Sequence, residues 1–176
     1  MRLAIVLGLA AGLLLAGCDT AGQQAPPATP TSTAPPTTTA PAPPASTRPP
    51  VTVDAQCPYA GAATVMDIVG QHITRTTVTS TTPHPGCAFY RPNGEKAADV
   101  AVSVLASATA AQAEAIRLTG PDANPVDSVA DGGTVAITGD GAVLAVSKGQ
   151  ALVVVRINQR VSLEAIELAK LVVARL

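Results

Sequence analysis

The chain has 176 residues, a formal net charge of −1 and 2% aromatic side chains. From Val51 onward nine basic residues stand against eleven acidic ones, and Tyr59, Phe89 and Tyr90 are the only aromatics. That leaves neither a basic surface for phosphate backbones nor a stacking platform for bases, which excludes nucleic acid as a partner and requires a core of Val, Ala, Leu and Ile.

Arg2 is followed by an apolar run from Leu3 to Leu15 and then by Ala16-Gly17-Cys18. This order is that of a lipoprotein signal peptide over residues 1–17: small residues let a peptidase reach the bond before the cysteine, whose thiol then accepts a diacylglycerol thioether. A retained membrane helix fits less well, because roughly 15 apolar residues fall short of the ~20 that span a bilayer and no basic stop-transfer flank follows. Cys18 is therefore the expected lipidation site. Its palmitate-type chains would hold the protein at the outer, extracytoplasmic face of the cell membrane. Residues 18–50 shift to Pro, Thr, Ala and Ser, with Arg48 the one charge after Asp19. Such a segment has too little apolar surface to offset the entropy of ordering, so a disordered linker is expected, reaching roughly 30 Å as a coil and ~95 Å fully extended. Its composition suits O-glycosylation as well as a bare spacer.

Residues 51–176 are long enough for one core and too short for two, so a single domain is expected. Pro58 at a first helical position, the run Tyr59 to Val69 and Gly70 after it predict a helix with Pro and Gly in their usual places. Strands follow at His72 to Thr81, Cys87 to Arg91 and Ala98 to Leu105, the last with Val100, Val102 and Val104 on one face. Thr109 to Leu118 is Ala-rich and helical, stopped by Gly120-Pro121. A loop is expected from Pro121 to Gly133. Thr134 to Ile157 reads as three strands divided by the turns Gly139-Asp140-Gly141 and Lys148-Gly149. Leu152 to Val155 is continuously apolar, which places that strand in the sheet centre with both faces covered. Ser162 is expected to cap a last helix that turns Ala165, Leu168, Ala169, Val172, Val173 and Leu176 to the sheet and Glu164, Glu167 and Lys170 to water. The order αβββαβββα predicts an α+β domain: a mainly antiparallel sheet of about six strands with three helices packed against it.

Once Cys18 is set aside, Cys57 and Cys87 remain, an even pair in an oxidising compartment, and a disulfide is expected. A metal pair or a redox couple fits less well, since there is no Cys-x-x-Cys and only His72 and His84 accompany them. No nucleophile elbow, zinc helix or phosphate loop is present, and no cofactor motif. Asp131-Gly132-Gly133 and Gly139-Asp140-Gly141 lack the spaced acids of a calcium loop and read as turns. His84, between two prolines, reads as an exposed turn residue, and His72 as a structural residue at a strand start. Two segments stand out as candidate contacts: Phe89, Tyr90 and Arg91, and Asn158, Gln159 and Arg160. Loop and cap hydrogen bonding is the competing account of the second, and core burial that of Phe89.

Cys57-Pro58-Tyr59, Gly70-Gln71, Pro85 to Tyr90 with its Cys-Ala-Phe-Tyr run, Ala145 to Gly149 and Asn158-Gln159 together resemble an actinobacterial lipoprotein family catalogued as domain of unknown function 2020. The likeness covers nearly all of the chain from Cys57 onward. It implies an exported lipoprotein domain of high-GC Gram-positive bacteria and brings no catalytic residues with it. A more distant likeness is to other mycobacterial-type lipoprotein domains with an early helix cysteine paired to a strand cysteine, including sandwich folds like those of the Mog1 and PsbP proteins. That likeness concerns architecture alone. Three functions stay open: a non-catalytic module binding an envelope protein partner, a carrier or sensor of an apolar or lipid ligand, and, third, an enzyme. The character of the interior and surface separates them, a deep apolar pocket favouring the carrier and a filled core with an exposed patch the interaction module.

Overall fold

The structure, a computed structural model, describes residues 49–176. The expected signal peptide, Cys18 and the linker up to Arg48 lie outside the described residues. The elements are β1 (Thr52–Asp54), α1 (Ala62–Val69), β2 (Arg75–Thr79), β3 (Gly86–Tyr90), β4 (Lys96–Val104), α2 (Ala108–Thr119), β5 (Asn124–Val126), β6 (Gly133–Thr138), β7 (Gly141–Lys148), β8 (Ala151–Ile157) and α3 (Ser162–Val173). Among the described residues one antiparallel sheet holds all the strands in the order β1-β2-β3-β4-β8-β7-β6-β5, two runs of four sequential strands joined through their last members. The α+β expectation holds, with eight strands rather than six. The two additional strands, β1 and β5, are the sheet edges and span three residues each. Three residues show no periodicity, and Pro125 argues against a strand in sequence; an edge position tolerates it because one side of its backbone needs no partner.

The helices lie on both faces. On one, α1 and α3 close over a cluster that includes Val65, Val69, Phe89, Val100, Leu144, Val153, Val155, Leu168 and Val172. On the other, α2 covers Ala145, Leu152 and Val154 through Ala111 and Ala115. β8, fifth of the eight, is thus buried on both sides, as its unbroken apolar run requires. Gly141 belongs to this close packing, since a Cβ there would run into the carbonyl of Ile157, and its φ of 142° favours glycine.

Helix ends differ from the sequence reading in two places. α1 begins at Ala62, not Pro58, with Gly61 as its N-cap. Cys57 is drawn into a disulfide with Cys87 on β3, and the Tyr59 hydroxyl donates to the Pro85 carbonyl at 3.1 Å, so this stretch is held against the β2–β3 connection rather than wound into a helix. Burial pushes the Tyr59 phenol above its ordinary pKa, which keeps it a donor. Gly70 ends α1 in the left-handed region, as expected. At α3 the N-cap is Val161 and Ser162 is the first helical residue, with no side-chain cap bond. The capping serine is Ser107, whose hydroxyl accepts from the Ala110 N–H at the start of α2. His72 lies in the connection before β2, not in a strand, and is exposed.

The open face of the sheet

Side-chain alternation explains where helix cover stops. On the face that carries α2, β8 presents Leu152 and Val154, and their directly opposed neighbours on β4 are Ser103 and Ala101. Leu152 and Val154 are buried, whereas Ser103 and Ala101 are exposed. Continuing outward, the same face carries Asp99 on β4, Gly86, Ala88 and Tyr90 on β3, Arg75, Thr77 and Thr79 on β2, and Thr52 and Asp54 on β1. These are small or polar residues, which offer a helix no apolar stripe to cover. α2 packs on β6, β7 and β8 and leaves the half formed by β1 to β4 without a helix, Thr77 alone of these residues being buried there.

A groove of about 530 Å³ runs over this open half. Its floor includes Gly86, Ala88, Asp99, Ala101 and Ser103, and Thr81, Thr82 and Pro83 of the β2–β3 connection form a wall. Towards one end a set of charges crosses the strands. Arg75 pairs with Asp54 at 3.6 Å and lies 4.1 Å over the ring of Tyr90. Asp99 takes Lys96 at 3.2 Å and Arg156 at 3.4 Å. The Asp99 side chain is 19% exposed, so it fixes two cations that themselves reach into solvent. Chemically this is a flat recognition surface: fixed charges along one margin and small side chains over which another backbone can approach closely.

The residues singled out from sequence separate. Phe89 is wholly buried in the core and is no contact residue, its alternating place on β3 turning it to the face beneath α1. Tyr90, one position on, faces the open half under Arg75. Arg91 bonds Glu95 within the β3–β4 turn. Asn158 accepts from Gln71 Nε2 at 2.7 Å, which ties the exit of β8 to the exit of α1. Gln71 Oε1, Gln159 Oε1, Glu164 Oε2 and Arg91 Nε are buried without a hydrogen-bond partner among the described residues. Asn158 therefore belongs to a joint between elements, and Gln159 beside it is half-buried. Glu164 is accordingly not turned fully to water as its helical position implied. Arg160 is exposed and makes none of the ion pairs found among the described residues.

Sequence reasoning passed over Asp54, Arg75, Asp99, Ala101, Ser103 and Arg156. The signal was present in β4, where Asp99, Ala101 and Ser103 alternate with Val100 and Val102. The two Asp-Gly segments read as turns do lie in connections: Asp131 accepts from the Gly149 N–H at 2.6 Å, and Gly139 and Asp140 join β6 to β7. Among the described residues no group of three or more His, Cys, Asp or Glu gathers as a metal site, and no helix is long and apolar enough to cross a membrane.

The family model of the domain of unknown function 2020 matches residues 36–176. No curated protein matches the chain.

Proposed function

The chain belongs to the family of the domain of unknown function 2020, and from that premise we propose that it is a non-catalytic lipoprotein of the cell envelope, lipidated at Cys18, whose domain binds an envelope protein through the open half of the sheet. The observation that carries this reading is the one-sided cover: α2 closes β6 to β8 and leaves β1 to β4 with a groove floored by Ala88, Ala101 and Ser103 and margined by fixed charges. A carrier of an apolar ligand gains no support here, because the groove is open to solvent and lined by Thr, Ser, Lys and Asp among its apolar residues.

Cys18→Ala should move the protein from membrane to soluble fractions, and retention of the acyl label with the membrane would refute the anchor. The binding reading is tested by cross-linking the full chain in cells. Ala101→Arg should abolish capture of the partner with the melting temperature unchanged, while Arg160→Glu, in the β8–α3 connection and outside the groove lining, leaves capture intact. The opposite pattern would overturn it, and turnover of a substrate lost on a single polar substitution would overturn the non-catalytic part.

A further inference from the structure

Resting on that reading, we infer that the partner seated on the open face is a second copy of this chain. One row of side chains crosses five adjacent strands on this face: Asp54, Thr77, Ala88, Asp99 and Arg156, joined by the direct pairings Asp54↔Thr77, Thr77↔Ala88, Ala88↔Asp99 and Asp99↔Arg156. The row has an acid at one end, Ala88 at its centre between the buried Thr77 and the ion-paired Asp99, and a base at the other. A two-fold axis running along β3 between two facing sheets reverses the order of the strands. Asp54 of each copy then meets Arg156 of the other, and Ala88 meets Ala88, the self-complementarity that an isologous interface needs. Arg75 is bonded to Asp54 and stacked on Tyr90, and it meets the bonded Lys96 and Asp99 of the other copy, whose charges offset each other. A dissimilar partner imposes no requirement that acid and base stand at mirror-related positions about β3. A second copy does.

Size sets the strength of the pairing. Five strands about 4.8 Å apart and five residues of strand length give roughly 400 Å² per copy, below the ~800 Å² per partner of a stable complex. The pair is therefore weak in dilute solution and forms where anchoring to one surface raises the effective concentration.

The full chain, expressed in cells, supplies the test. Ala88→Cys, at the axis, should form a disulfide-linked dimer on oxidation with copper phenanthroline, at least ten-fold above Asp127→Cys, an exposed position in the other half of the domain. Adding Asp54→Arg or Arg156→Asp to Ala88→Cys should each lower the dimer about ten-fold. Co-expressing the two reversed chains should restore it, because each then meets its complement in the other. Dimer that survives both single reversals, or that the mixed pair fails to restore, overturns the pairing. An adduct with a protein of different mass and no dimer overturns self-pairing and leaves the open-face reading standing. No adduct at all overturns both.

Discussion

The two halves of the sheet solve the same problem differently. In β5 to β8 both faces are apolar where β7 and β8 pass through the centre, and two helical layers close on them: α3 from one side and α2 from the other. In β2 to β4 only one face is apolar, so a single layer containing α1 covers it, and the disulfide from Cys57 to Cys87 ties that layer to β3. The covered half is held by burial on two sides. The open half is held by burial on one side and by a covalent bond. The contrast teaches that helix cover follows the strand's own pattern, continuous where both faces are closed and alternating where one is left free.

The contrast is broken most sharply by placing the same charge on two residues that face each other across one ladder. Val154 and Ala101 are directly opposed on β8 and β4. Val154→Asp should cost more than about 4 kcal/mol or prevent folding, since a carboxylate would sit unpaired beneath α2. Ala101→Asp should stay within about 0.5 kcal/mol, as exposed substitutions do. Equal losses in denaturant unfolding would mean that both halves are closed. Next in size, removing the disulfide by Cys57→Ser with Cys87→Ser should lower stability by about 3.5 kcal/mol, the chain-entropy value for a closed loop of this length. Hydrogen exchange should then quicken more in β2 and β3 than in β7 and β8. Uniform quickening would show that the bond serves the whole domain equally. A smaller loss than that of the disulfide concerns the helix that only the covered half possesses. Ser107→Ala removes the cap at the start of α2 and should cost about 1 kcal/mol, with the melting temperature recovered by Ser107→Asp.

The legibility of the candidate site differs from that of the fold. Every long element was readable from period and punctuation: the Ala-rich α2, the three strands β6 to β8 with their glycine turns, and α3 with Ala165, Leu168, Ala169 and Val172 buried on one face. The site was read by a different rule, which favoured polar or aromatic clusters adjacent in sequence. That rule selected Phe89, which is core, and Asn158, which ties two elements together. The open face is assembled instead from every second residue of separate strands, so its members are never neighbours in the chain. Asp54 and Arg156 lie about a hundred positions apart and meet in one row only once five strands are in register.

The amino-acid sequence by itself determined the class of the domain, its three helices, the central place of β8 and the pairing of Cys57 with Cys87, because these depend on local periodicity, on turn residues and on cysteine parity. Tertiary structure decided the two edge strands, the start of α1 at Ala62 and the assignment of α2 to one face and of α1 and α3 to the other. It also decided which half of the sheet remained uncovered. Those outcomes rest on pairing between segments distant in the chain. A three-residue strand such as β1 exists only because β2 offers it hydrogen-bonding partners, and a row of charges exists only after the strands that carry it have aligned.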